Sequence, residues 1–152
     1  PNPENGQTIC DDPATLNSLL CAVKKTVSNP ISIKVSPDVS NETLSAIGEI
    51  CATYDTLLIN AGNTQYKTPD EVGVKQINFA MDGGGLSGPA IFQRTLEMVS
   101  LFAQFNIPIM ATGGISTIHH VQALKEAGAS LFGMATALVL DPYCIPRIHS
   151  RL

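Results

Sequence analysis

Helix-like and strand-like stretches alternate without exception along this chain, and no other feature limits its fold as strongly. Asp12-Pro13 opens the first helix, with Asp as N-cap and Pro in the first turn, and Leu16, Leu19, Leu20, Val23 and Val27 repeat at helical spacing. Asn29-Pro30 stops it, and Ile31, Ile33 and Val35 alternate with Ser32 and Lys34 as a strand. Pro37 and Asp38 turn the chain, Ser40 or Asn41 caps a second helix with a Leu44, Ile47, Ile50, Cys51 stripe, and Thr56 to Asn60 reads as a strand buried on both faces. Pro89 opens a third helix through Leu96, Val99 and Phe102, followed by a strand from Ile107 to Ala111 and by Gly113-Gly114. A fourth helix from about Thr117 to Ala127 is closed by Gly128, and Leu131 to Ala135 is the fourth strand.

Strict alternation with short connections predicts an α/β fold with a parallel sheet, either doubly wound or part of a barrel. Four strands are half of a (β/α)8 TIM barrel, and alone they leave two open edges and one uncovered apolar face. The expectation is a carboxy-terminal half-barrel over residues 1–152, with the amino-terminal half outside this chain. Composition agrees: 44% hydrophobic and only 14% charged residues suggest a surface that something else covers. The chain starts at Pro1 rather than Met, which reads as a processed or cut product.

Residues 62–88 read as a long loop ending in Gly83-Gly84-Gly85-Leu86-Ser87-Gly88, and loops of this length are usually functional. A formal charge of -4 and no basic run longer than Lys24-Lys25 argue against nucleic acid. Cys10, Cys21, Cys51 and Cys144 form no ligand-spaced cluster, so no metal site is expected and the thiols read as reduced and structural. No stretch reaches the roughly 18 apolar residues of a membrane span, and no signal peptide is evident, so the cytoplasm is the default compartment.

Each candidate functional group lies in a strand or just after one, which is the functional rim of a barrel. Gly113 and Gly114 lack Cβ atoms, so their backbone can approach an anion closely, and Thr136 adds a hydroxyl donor. A phosphate site is the preferred reading, against a tight turn that merely needs positive φ. Lys34 points either into the barrel mouth or outward to the helices, and Asn60 offers an amide to a flat polar ligand or serves as a turn residue. His119, His120 and His149 read as ordinary surface residues.

Pro1-Asn2, Ile33-Lys34-Val35-Ser36-Pro37-Asp38, Ile59-Asn60, Gly84-Gly85-Leu86-Ser87-Gly88, Ala111-Thr112-Gly113-Gly114-Ile115 and Ala135-Thr136-Ala137-Leu138, in this order and spacing, resemble the dihydroorotate dehydrogenase family. The resemblance implies an FMN enzyme that oxidises dihydroorotate to orotate in pyrimidine biosynthesis. It implies that Lys34 contacts the isoalloxazine ring, that Ser87, Gly88, Gly113, Gly114, Ala135 and Thr136 hold the flavin and its phosphate, and that Asn2 and Asn60 bind the substrate. The family's base, a Cys or Ser, stands immediately before the Pro-Asn pair, so the base is expected just ahead of Pro1 and the isolated chain is expected to be inactive. Three positions depart from the family pattern: Ala61 follows the strand-end Asn where Ser or Thr is usual, and Ala111 and Ala135 stand where glycine is common. Membrane-linked members carry an amino-terminal extension beyond the span of this chain, and a homodimer is a further expected assembly. The alternatives are a related FMN barrel such as the flavin domain of dihydropyrimidine dehydrogenase, a non-redox phosphosugar barrel enzyme, and a non-catalytic half-barrel that serves assembly.

Overall fold

The computed structural model describes residue 9 and residues 12–75 and 80–152. Its main sheet has four parallel strands in the order β1 (Ile31–Val35), β2 (Leu57–Ala61), β5 (Ile109–Thr112), β6 (Leu131–Gly133). Helices α1 (Pro13–Lys24), α2 (Asn41–Ala52), α3 (Phe92–Phe102) and α4 (Ile118–Glu126) alternate with these strands. The expected α/β alternation is therefore present, and among the described residues β1 and β6 each pair on one side only.

The burial pattern sorts the two faces of the sheet. Ile33, Val35, Leu57, Ile59, Ala61, Ile109 and Ala111 are buried, and with Leu44, Ile47, Met98, Val99, Phe102 and Leu124 they form the core between the sheet and its helices. Side chains alternate along a strand, so Ser32, Lys34, Leu58, Asn60, Met110 and Thr112 occupy the opposite face, where all are half-buried or exposed. Register places Lys34 beside Asn60, Asn60 beside Met110, and Met110 beside Leu131. The sequence left the direction of Lys34 open. The fold puts it on the face away from the helices.

Local chemistry sets the helix starts. Asp12 caps α1 by accepting the Ala14 N–H at 3.1 Å, Ser40 caps α2 by accepting that of Thr43 at 3.2 Å, and Thr117 caps α4 by accepting that of His120 at 3.2 Å. Several boundaries differ from the sequence reading. α1 ends at Lys24, three residues before Val27, because the Thr26 hydroxyl and the amides of Thr26 and Val27 all close on the Val23 carbonyl. Pro89–Ile91 is a 3-10 turn that precedes α3. The last strand stops at Gly133, so Ala135 and Thr136 belong to the loop and first turn of a short helix α5 (Thr136–Leu140), which is followed by α6 (Cys144–His149).

The segment read as a long loop contains an antiparallel ribbon, β3 (Gln65–Lys67) with β4 (Gly84–Leu86). Its glycines carry no side chain to reveal a two-residue alternation, so pairing partners rather than pattern define it. Asp38 anchors the ribbon by accepting the Tyr66 N–H on both carboxylate oxygens, at 3.0 and 3.2 Å. Beyond β3, Glu71 accepts from the Thr68 amide and hydroxyl and from Lys67 Nζ. These bonds, the Thr68 amide first, hold its carboxyl down at about 2, against 4.5 ordinarily. A depressed carboxyl stabilises the fold fully above its unfolded value and loses that contribution as pH falls through its folded one. Acid is therefore expected to loosen the segment between pH 4.5 and about 2. Denaturation of Glu71→Gln should show a flatter pH profile over that window than the parent chain, and identical profiles would contradict this role.

Arg94, near the start of α3, braces the turn that follows β1. It donates Nε to the Pro37 carbonyl at 3.0 Å, Nη2 to the Val39 carbonyl at 2.8 Å and Nη1 to Asn41 Oδ1 at 2.8 Å. Arg94→Ala leaves these acceptors unmatched in a part-buried place and is expected to cost about 2–3 kcal/mol. Arg94→Lys should recover only a fraction, since an ammonium cannot reproduce the planar fork. Thermal melting of the two variants checks this, and equal melting temperatures would refute it.

Candidate functional site

The carboxyl ends of β1, β5 and β6 and the loop ahead of α3 meet around a cleft of about 190 Å3. Lys34, Ser87, Gly88, Gly113, Gly114, Ala135 and Thr136 all line it, so residues far apart in sequence and chosen for one ligand share one wall. The Thr136 hydroxyl lies 3.1 Å from the Ser87 hydroxyl and donates to it, joining the loop ahead of α3 to the loop after β6. Asn2 lies outside the described residues. Asn60 is not part of the cleft wall; it stands on the same sheet face, in register with Lys34.

The glycines act differently from the simplest expectation. Gly113 and Gly114 have φ values of 128° and 73°, where side-chain-bearing residues are strained. A Cβ on Gly114 would sit 2.5 Å from the Phe92 amide nitrogen, and one on Gly113 would sit 2.7 Å from Thr95 Oγ1. The space freed by the missing Cβ atoms is thus filled by α3. The glycines let the turn and the helix start come together, which leaves the backbone of the turn bordering the cleft. Gly88, with φ 81°, is buried in the facing loop, and a Cβ there would touch only Thr136 Cγ2, at 3.4 Å.

His120 is a correction to the sequence reading. It is half-buried, its ring stacks on Phe92 with centroids 4.0 Å apart, and Nδ1 accepts the Ser116 N–H at 3.3 Å. It ties the turn after β5 to α3 from behind, a role that depends on fold neighbours and leaves no sequence signature. His119 and His149 are exposed, as expected. Of the three described cysteines, Cys51 and Cys144 are buried and Cys21 is exposed. Among the described residues no group of three or more His, Cys, Asp or Glu could hold a metal ion, and no helix is long and apolar enough to cross a membrane.

Among the described residues, Asn60 Oδ1 and Thr112 Oγ1 are buried without a hydrogen-bond partner. An unmatched buried polar atom costs about 1–3 kcal/mol, and both of these lie on the sheet face away from the helices. Thr112 lines the cleft and was missed by sequence reasoning. The alternation of β5, with Ile109 and Ala111 turned to the helices, was the signal that could have placed it on the cleft side of the sheet.

A cleft at the carboxyl ends of parallel strands, walled by glycine-bearing loops, is the place where α/β barrels build their sites. The family model described as dihydroorotate dehydrogenase matches residues 1–152. Among curated proteins, a dihydroorotate dehydrogenase (quinone) of Acinetobacter baylyi is 35% identical over 72% of this chain and 33% of its own length. The catalytic subunit of dihydroorotate dehydrogenase B (NAD(+)) of Enterococcus faecalis is 32% identical over 90% of this chain and 44% of its own length. The chain belongs to the dihydroorotate dehydrogenase family. In fold it is similar to the DHODH of Eimeria tenella in complex with ferulenol, with a TM-score of 0.78 and 19% identity, covering 97% of this chain and 46% of that one. The chain thus spans less than half the length of these relatives.

Proposed function

We propose that residues 1–152 are the carboxy-terminal half of a barrel that binds FMN and oxidises dihydroorotate to orotate. The observation that carries this reading is the convergence of Lys34, Ser87, Gly88, Gly113, Gly114, Ala135 and Thr136 on one cleft. The outer sides of β1 and β6, unpaired among the described residues, support a half-barrel that further strands complete. So does the cleft size: about 190 Å3 falls short of the roughly 300–1,000 Å3 of a small-molecule pocket, as one wall of a larger site would.

The residues present fit the cofactor. Backbone amides of Gly113, Gly114, Ala135 and Thr136 and the hydroxyls of Ser87 and Thr136 supply donors suited to a phosphate. Lys34, exposed on the ligand face, is placed to put a cation beside the ring, where it offsets negative charge that accumulates on reduction. Bound flavin supplies the hydride acceptor. Asn60, with its unmatched carbonyl oxygen, orients a flat polar substrate through its amide. By the family resemblance, Asn2 would be the second amide on the substrate.

Titrating the chain, co-expressed with the other half of the barrel, with FMN while following flavin fluorescence tests this reading. Saturable quenching at one flavin per chain is the expected result. Binding of ribose 5-phosphate without FMN binding would move the assignment to a non-redox sugar-phosphate barrel, and binding of neither would overturn the proposal.

A further inference from the structure

Two helices hold the turn after β5 from behind. Gly114 lies against the start of α3, where a Cβ would sit 2.5 Å from the Phe92 amide nitrogen. Ser116, two residues on, donates its N–H to Nδ1 of His120 on α4 at 3.3 Å, and the His120 ring stacks on Phe92 with centroids 4.0 Å apart. Phe92 is shared by both contacts, so the turn, α3 and α4 close into one ring of neighbours. Gly113, Gly114, Ile115 and Ser116 line the cleft, whereas Phe92 and His120 do not. Between the two anchors, the N–H groups of Gly114 and Ile115 meet no backbone acceptor among the described residues. Open donors of this kind suit an anion, and their aim depends on how the turn is held at either end. Packing at position 120 asks only for an aromatic ring, since phenylalanine would stack on Phe92 as well. It gives no reason for an acceptor.

We propose that His120 is a positioning residue whose Nδ1, by holding the Ser116 N–H, fixes the turn in the form that grips a phosphate monoester. The inference rests on the flavin reading above, in which the phosphate lies at this turn; His120 itself touches no ligand. Its ring serves stability and its acceptor serves ligand preference, and substitution separates the two. Phenylalanine keeps the ring and loses the acceptor. Asparagine loses the ring, but its Oδ1 branches from the same carbon position as the imidazole Nδ1, so an acceptor stays in place.

The test is the affinity of the barrel, completed by co-expression with its other half, for FMN and for riboflavin, which lacks the phosphate. His120→Phe is expected to weaken FMN roughly tenfold, as loss of one hydrogen bond does, and to leave riboflavin affinity and the ligand-free melting temperature close to those of the parent. His120→Asn should melt lower yet keep the parent's preference for FMN over riboflavin. FMN binding by His120→Phe as tight as by the parent overturns the inference while the flavin reading stands, and so does an equal loss for riboflavin. A preference lost as fully in His120→Asn as in His120→Phe overturns it too, because the acceptor would then be immaterial. A parent barrel that binds neither flavin removes both readings.

Discussion

Gly114→Ala is expected to destabilise the chain by roughly 3 kcal/mol, the sum of a strained backbone and an overfilled contact. With φ at 73°, alanine is disfavoured before any neighbour is considered, and its Cβ would then lie 2.5 Å from the Phe92 nitrogen and 2.6 Å from the Phe92 Cα. Those are backbone atoms at the start of α3, so relief requires the turn and the helix to separate. Separation also opens the contact through which His120 and Phe92 hold the turn. FMN affinity should therefore fall along with stability. Gly84→Ala provides the control, because a Cβ there meets nothing within 4 Å and its φ is unremarkable. Denaturant melts that shift equally for the two variants would contradict the role of Gly114.

Lys34→Ala is expected to separate chemistry from folding. The side chain is exposed on the sheet face away from the helices, and its neighbours Ile33 and Val35 carry the core contacts of β1, so stability should change by no more than about 0.5 kcal/mol. Flavin reduction by dihydroorotate in the completed barrel should slow by roughly 10²-fold, the scale of losing one preorganised charge-stabilising group. Rapid-mixing measurement of the first reduction of the flavin reads this step directly. An unchanged rate would remove Lys34 from the chemistry, and a large drop in melting temperature would give it a structural role instead.

The sequence carried the order of the sheet strands and their helices because α1, α2 and α4 have side-chain caps and the central strands are apolar, whereas the short α5 and α6 have no side-chain cap to announce them. Asp12, Ser40 and Thr117 cap the helices they were placed to cap or precede. The ribbon of β3 and β4 was invisible because Gly84 and Gly85 have no side chains to display a face, and because its anchor, Asp38, lies 28 residues from Tyr66. The motif around Lys34 illustrates the same division. Lys34 was singled out as a ligand contact, but Pro37 and Asp38 owe their places to Arg94 and Tyr66, partners that only the folded chain brings near. Gly113 and Gly114 were recognised as a rim turn, and the reason they cannot carry a Cβ became clear only once α3 was seen against them.

A crystal structure of the chain soaked or grown with FMN bears most directly on the central claim. The phosphate should lie against the backbone of Gly113-Gly114 and Ala135-Thr136, with the ring extending toward Lys34. A flavin phosphate found elsewhere, or a ring directed away from β1, would contradict the account.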